Sequence, residues 1–410
     1  MKILHLSTTD IKGGAGIAAY RLHKGLIGHG VKSLMFVQRK YGHRKDVYCP
    51  RNIFEKIFGY FCIVGDKAIA GIFGQKKSDE ISPALLASMD IDTIDKFNPD
   101  IVNIHWTCGG FLNPEKIGRI KKPIVWTMHD MWPFSGISHY RLSSNNYINK
   151  ISENDNFFNQ WALKRKKKSL SHLDNLTVVS PSAWLKKEAQ CSYLFKNFKI
   201  KNIPNGIDIN LFKKYDKISS RKKYDLPLDK ILLLFGAVKP FSNRRKGVGL
   251  LVRVIKILSK SKLKNKIALV VFGSKKNSKI KFNLPIYFIG KISDEKDLAK
   301  VYSAADLFIA PSEEDNLPNT VMESMACETP VVAFGIGGMP DMIDDGKNGI
   351  LIAPYNVGAM AKKILLILQN KKHLEKLSSE ARKKIKRKFN INLIAKKYYQ
   401  LYQSILRTNE

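Results

Sequence analysis

Two acids, Asp315 and Glu323, stand eight positions apart around the segment Leu317-Pro318-Asn319-Thr320. Proline suits a helix start, where its missing N–H loses no partner, and Asn319 or Thr320 can cap the amides there. Val321, Met322, Met325 and Ala326 then supply an apolar helical face. The amides and dipole of a helix N-terminus attract phosphate. One acid before that terminus and one on its first turns can both reach a sugar phosphate laid across it; the other reading is two helix-capping charges. Upstream, Arg244-Arg245-Lys246-Gly247 follows an apolar run. Cations there can neutralise a departing diphosphate or form a solvated basic loop. His129 ends the apolar run 124–128 and precedes Asp130. Ligands of open α/β sheets sit beyond the carboxyl ends of strands, which makes His129 a site candidate, with a backbone-bonded histidine as the alternative. His105, at the end of run 101–105, is a second candidate, and Trp132 and Phe134 either line a pocket or pack.

These residues need strands that end at the site and helices that begin there. Short apolar runs at 3–6, 33–37, 101–105, 124–128 and 176–180 alternate with amphipathic segments. Runs at 231–235, 267–272, 286–289, 307–310 and 330–333 repeat the style. Strands separated by helices predict parallel sheets with right-handed crossovers. The fold class is therefore α/β, with two Rossmann-like domains at 1–205 and 206–385. The boundary is placed where Pro204 and Gly206 precede a run of charges. A basic run, 383–388, leads into an amphipathic C-terminal helix, so 386–410 forms a third segment. Gly13-Gly14-Ala15-Gly16 follows the first strand and opens a helix, where glycines let backbone approach an anion or a sugar. Its spacing is not G-x-G-x-x-G, which argues against a dinucleotide site. Gly273-Ser274 and Gly290-Lys291 also follow strands and are read as facing a nucleotide with backbone groups.

Two regions depart from plain alternation. Residues 53–74 carry a helical stripe of Phe54, Ile57, Phe58 and Phe61, read either as a packed helix pair or as an interfacial segment near lipid. Residues 142–160 are polar and Asn/Ser-rich and read as a mobile loop. Lys164-Arg165-Lys166-Lys167-Lys168 lies in a helical stretch. Such a run repels itself unless it is solvated or meets an anion such as a lipid leaflet.

Seventy Lys and Arg against 35 Asp and Glu give 410 residues a formal net charge of +35. That field attracts polyanions: nucleic acid, phosphate-bearing substrates or an anionic membrane; a lysine-rich composition alone is the plain reading. Hydrophobic content of 44% allows large cores and 10% aromatics argue against disorder. Cys49, Cys62, Cys108, Cys191 and Cys327 form no C-x-x-C pair, as expected of core thiols in a reducing cytoplasm. The apolar run 1–7 is too short for a signal peptide and no 18-residue apolar segment predicts a spanning helix.

The stretch 311–354, with Asp315, Glu323, Pro330-Val331-Val332-Ala333 and Gly337-Gly338, resembles the donor-site signature of the family-4 retaining glycosyltransferases of GT-B fold. MKILHLSTTDIKGGAGIAAYRL at the start, PIVWTMHDMWPF at 123–134, IPNGIDINLF at 203–212 and LLFGAVKPFSNRRKG at 233–247 match further landmarks in the family order. The Asp-Asn-Leu-Pro-Asn-Thr variant resembles a bacterial surface-polysaccharide subgroup. The resemblance implies two domains facing across a cleft, with the C-terminal helix crossing back to the first, acceptor-side domain. It implies hexosyl transfer from a nucleotide-sugar to a glycan or polyprenol-linked glycan in capsule, exopolysaccharide or O-antigen synthesis, at the cytoplasmic face of the inner membrane. Implied catalytic residues are His129, Asp315 and Lys246. Implied donor-binding residues are Gly14, Gly16, Arg245, Lys246, Gly273, Asn319, Thr320 and Glu323, with His105 and Trp132 on the acceptor side. No cofactor, metal or nucleic-acid partner is expected, and an anionic membrane surface is. Three departures stand out: Asp replaces Glu at 315, Ala237 follows Gly236 where relatives carry an Arg, and Glu328 replaces a glycine. Arg244 or Arg245 is left to supply the displaced cation. A GT-B sugar-nucleotide epimerase, a phosphorylase, and a polyanion- or membrane-binding protein on an inactive scaffold are the alternatives.

Overall fold

A computed structural model describes residues 1–73, 80–140, 157–238, 240–274 and 282–408. It comprises two compact α/β units, Met1–Gly206 with Ile391–Glu410, and Ile207–Asn390.

The first unit is built on a seven-stranded sheet. Its strands are β1 (Lys2–Thr9), β2 (Lys32–Arg39), β3 (Val47–Tyr48), β4 (Ile101–Ile104), β5 (Ile124–Thr127), β6 (Leu176–Ser180) and β7 (Ile200–Asn202). The order is β3-β2-β1-β4-β5-β6-β7 and every pairing is parallel. Parallel strands are covered on both faces, which is why β4 and β5 are buried at every position. The order reverses between β1 and β4, and the crevice beyond their carboxyl ends is where such sheets bind ligands. The unit is completed by helix Ile391–Thr408, which packs on helix Gly14–Gly28. A Cβ on Gly25 would lie 2.8 Å from Ile391, so glycine there permits the close approach. Two buried tyrosines tie the returning helix to the sheet: Asn103 donates to the Tyr402 hydroxyl at 2.7 Å, and the Tyr398 and Thr127 hydroxyls lie 3.1 Å apart. Residues 386–390 close the second unit, so the returning segment begins at Ile391.

The second unit has six parallel strands: β8 (Ile231–Gly236), β9 (Ile267–Phe272), β10 (Ile286–Gly290), β11 (Leu307–Ala310), β12 (Val331–Phe334) and β13 (Ile350–Ile352). Their order, β10-β9-β8-β11-β12-β13, reverses between β8 and β11. The loops leaving those two strands carry Lys246 and Asp315.

Each of the ten predicted runs is a strand. The additional strands β3, β7 and β13 have two or three residues, too few to show a period. Residues 53–73 form one 21-residue helix, Ile53–Phe73, rather than a pair. Gly65 lets this helix approach its neighbour: a Cβ there would lie 2.5 Å from Leu86 Cδ1. Of the stretch read as a loop, 142–156 lies outside the described residues, and 157–160 open helix Phe157–Leu170.

Candidate active site

In the second unit, a 3-10 turn Arg244–Lys246 follows β8. Asn243 caps it by accepting from the Arg245 amide at 3.1 Å. Gly247 then turns the chain into helix Val248–Leu258 with φ 69°, and a Cβ there would sit 1.8 Å from the Pro311 carbonyl oxygen. Only glycine fits both demands, and the loops after β8 and β11 are thereby locked together. The Glu313 amide donates to the Arg245 carbonyl at 2.8 Å, which extends the lock.

Asp315 is 5% exposed and lies between two cations. Lys246 Nζ is 2.6 Å from Oδ2 and Arg245 Nη1 is 3.1 Å from Oδ1. Burial alone would raise the Asp315 pKa, but Lys246 and Arg245 outweigh it and hold the carboxyl below its usual range. Arg245 also donates to the Glu314 carbonyl at 3.0 Å. Arg244 is exposed and lies 3.5 Å from Glu313. The cation beside Lys246 at the site is thus Arg245. Behind Asp315, a Cβ on Gly337 (φ 52°) would lie 1.9 Å from the Asp315 carbonyl oxygen, and the Gly338 amide donates to that oxygen at 3.1 Å. The glycine turn after β12 therefore fixes the acid's backbone.

Helix Asn319–Ala326 begins after Pro318, whose side chain cannot cap it. This corrects the expectation that Asn319 or Thr320 does so: they are the first helical residues, and both are half-buried. Gly236, Ala237, Lys246, Pro318 and Thr320 line one pocket, so the helix start, with its positive dipole end, and the Lys246 ammonium share a concavity. Glu323, one turn further in, is buried and accepts from the Tyr302 hydroxyl at 3.0 Å. Gly273 has φ 86°, and a Cβ there would lie 2.0 Å from the Ala237 carbonyl oxygen, so it abuts the wall of the same pocket. The structure brings together Arg245, Lys246, Asp315, Thr320 and Gly273 with the first turns of one helix. That arrangement suits a diphosphate at the helix start and a sugar near the acid.

In the first unit, His129 follows β5 and is half-buried. It is the end of a histidine chain: His129 Nε2 lies 3.1 Å from His105 Nδ1, and His105 Nε2 lies 3.0 Å from His5 Nδ1. Burial lowers His129 to about 4, against the pull of Asp130. Burial also holds His5 and His105 well below the ordinary histidine value, reinforced by neighbouring histidines. Neutral rings must each donate one N–H and accept at the other nitrogen, so the chain fixes the tautomer of all three together. His105 is buried between its neighbours and stands behind His129 rather than on an acceptor surface. Trp132 is also buried; its indole N–H donates to the Ser82 carbonyl at 2.7 Å and Lys166 Nζ lies 3.7 Å from its ring, so it packs.

Asp130 belongs to a second network. His139 Nδ1 lies 2.7 Å from Asp130 Oδ2, and His139 Nε2 lies 2.8 Å from Ser82 Oγ. This Ser–His–Asp order invites a nucleophile reading, but all three are buried, and the chain pins 80–82 to 137–139 at the Ile81–Ser138 bridge. It holds the loop that starts at His129. At the other strand end, Gly14 is exposed at a helix start, while Gly16 is needed because a Cβ would lie 2.8 Å from the Thr9 carbonyl oxygen.

Sequence reasoning missed His5 and Tyr302, and it read Lys166 only as one member of a cation run. His5 lies inside the apolar run of β1, where a polar residue signals a buried partner. Lys166 falls on the helical face of Ala162, Leu163, Ser169 and Leu170, so its burial was visible in the spacing.

The family model described as Glycosyltransferase Family 4 matches residues 12–211, and the one described as Glycosyl transferases group 1 matches 216–384. The chain is 28% identical over 248 residues to an uncharacterised glycosyltransferase of Methanocaldococcus jannaschii, covering 57% of this chain and 61% of that one. It is 27% identical over 185 residues to D-inositol 3-phosphate glycosyltransferase 2 of Catenulispora acidiphila, covering 42% of each. It thus spans about two-fifths to three-fifths of the length of these relatives. Among solved structures, Anabaena HepE in complex with UDP-glucose gives a TM-score of 0.68 at 16% identity over 98% of this chain and 100% of that one. WaaG, a glycosyltransferase involved in lipopolysaccharide biosynthesis, gives 0.64 at 14% identity over 98% and 99%. These likenesses show the fold. The chain belongs to the GT-B glycosyltransferases, with the family 4 match on its first unit and the group 1 match on its second.

Proposed function

We propose that this chain is a retaining glycosyltransferase that moves a sugar from a nucleoside-diphosphate sugar to a glycan, free or on a polyprenol carrier, in building a surface polysaccharide. The observation that carries the reading is Asp315 held by Lys246 and Arg245 beside the start of helix Asn319–Ala326. When the bond from the anomeric carbon to phosphate breaks, negative charge collects on the departing diphosphate. Lys246, Arg245 and the amides at Asn319 and Thr320 are the groups that meet it, without a metal. Glu323 holds the ribose hydroxyls, Asp315 faces the transferred sugar, and Gly273 presents backbone close to the donor. His129, its tautomer fixed by His105, is the first unit's candidate for hydrogen-bonding a sugar. With retention, the acceptor oxygen enters on the face that the phosphate leaves. The complex of HepE with UDP-glucose supports a uridine donor, and the name of WaaG supports a lipid-borne glycan acceptor. The inositol phosphate carried in the names of curated relatives is the competing acceptor class.

The test is thermal stabilisation by a panel of nucleoside diphosphates and their sugars, with Glu323→Ala beside the wild type. A ligand at 100 times its Kd stabilises by about 2.7 kcal/mol. A shift with one nucleotide family, diminished in Glu323→Ala and unchanged by EDTA, is expected. No shift with any nucleotide, alongside tight heparin binding, would overturn the reading in favour of a polyanion binder.

A further inference from the structure

Helix Ile53–Phe73 turns an apolar face to solvent. Phe54, Ile57, Phe58, Phe61, Val64 and Ile72 are between 46% and 77% exposed. At 3.6 residues per turn, these six together with Tyr60 cover an arc of about 160°. Isolated exposed apolar residues are ordinary; a contiguous face of this size marks an interaction surface. The helix is not loosely attached. On its opposite side Gly59, Cys62, Ile63 and Asp66 are buried. Asp66 is buried beside the backbone of Ala84, Gly109 and Leu85. A Cβ on Gly110 would lie 2.5 Å from the Cys62 backbone, so helix and loop are in direct contact. The apolar face is therefore held in place by the buried, opposite side of the helix.

Width and charge identify what covers it. A partner helix would take a narrow seam of alternating three- and four-residue spacing, less than this arc. A second copy of the chain would bring another +35 charge to the contact, and the two fields repel. An anionic lipid surface answers both features: it is a continuous apolar medium around a convex helix, and it attracts cations. The edges of the face fit it as well. Tyr60 borders the apolar arc, and Lys56 and Lys67, eleven residues apart and both exposed, follow it on the same side. Arg51 is exposed just before the helix. Tyrosine and long cationic side chains are the residues that settle at the headgroup level. Among the described residues, no helix is long and apolar enough to cross a membrane, so an in-plane seat is the geometry available.

We infer that helix Ile53–Phe73 lies in the headgroup–acyl boundary of an anionic phospholipid bilayer and inserts its Phe54–Phe58–Phe61 face. This deepens the lipid-linked acceptor reading but does not depend on the donor chemistry.

The experiment is flotation of the full chain with vesicles of phosphatidylglycerol and phosphatidylcholine, and of phosphatidylcholine alone. Wild type is compared with the double variant Phe58→Asp/Phe61→Asp. Binding to the anionic vesicles is expected, weakened at least about tenfold in the variant, since burial of even one such ring is worth that much. Nucleotide-induced stabilisation, measured on the same samples, should be equal in both. If the variant loses that too, it is misfolded, and Phe58→Trp decides instead: its emission should shift to the blue on adding anionic vesicles. No vesicle binding by the wild type, equal binding by the variant, or an unshifted Phe58→Trp spectrum would each overturn the inference. Self-association abolished in the variant without vesicle binding would overturn it in favour of a second copy. Retained nucleotide stabilisation in any of these cases leaves the transferase reading standing.

Discussion

Asp315 carries one negative charge between two positive ones. Until a diphosphate arrives, Lys246 and Arg245 are already partnered, and a ligand must share them with the acid. Asp315→Asn keeps the shape and removes the competitor. Nucleoside diphosphate should then bind about tenfold tighter, a gain of about 1.4 kcal/mol, while turnover falls by about 100-fold because the charge near the sugar is gone. Calorimetric titration and initial rates separate the two effects, and weaker diphosphate binding would show that the acid is needed mainly to place the cations. Glu328, where the resemblance expects glycine, has φ 59° and lies 3.3 Å from Lys214. A left-handed backbone costs an ordinary residue about 1–2 kcal/mol, partly offset in glycine by a more flexible unfolded chain. Glu328→Gly should therefore raise stability by about 0.5–1 kcal/mol in urea unfolding. The family's glycine was legible in the sequence as a missing residue; the reason for it is a backbone angle, which no sequence displays.

The cation run 164–168 shows what an element does to residues that look alike in a string. Helix Phe157–Leu170 turns Lys164, Lys167 and Lys168 outward, sets Arg165 against Glu115, and buries Lys166. Lys166 Nζ donates to the Trp132 carbonyl, to Ser135 at 3.0 Å and to Gly136 at 2.8 Å. Its burial lowers its pKa to about 7, and the three carbonyls would be orphaned without it. Lys166→Met should cost about 3 kcal/mol or more in denaturant unfolding, whereas Lys164→Ala should stay within about 0.5 kcal/mol. Equal effects would mean that the run acts as one charged patch. Element by element, what was legible was whatever buried parallel strands write as apolar runs. β3, β7 and β13 were too short to write anything, and the single helix Ile53–Phe73 was read as one member of a possible pair. The site followed the same rule. Lys246, Asp315 and Glu323 were visible as residue types at strand and helix ends. The pairing of Asp315 with both Arg245 and Lys246, and the place of His105 behind His129, depended on loops brought together from far apart in the chain.

At the scale of the molecule, the buried histidines set a response to acid. Burial lowers His23 to about 4 despite Asp46, as it does His129. Unfolded, these rings bind protons from about 6.5 downward; folded, only nearer 4. Between those values the unfolded chain holds more protons, so stability falls as pH drops from about 6.5 towards 4, by up to about 3 kcal/mol per ring. The transition temperature should decline steeply below pH 6, and His23→Gln should make that decline shallower. A flat profile down to pH 4.5 would contradict the burial of these rings.

The return of residues 391–408 to the first unit also has a consequence in time. Ile394, Tyr398, Leu401 and Tyr402 share a core with Ile3, Leu22 and Leu26 of the opening residues. On the ribosome, Leu22 and Leu26 emerge long before the helix that covers them. Residues 207–390 must be synthesised in between, which takes about 10–40 seconds at common elongation rates. The unit that starts first thus finishes last, and during that interval its uncovered stripe is a natural ligand for a chaperone.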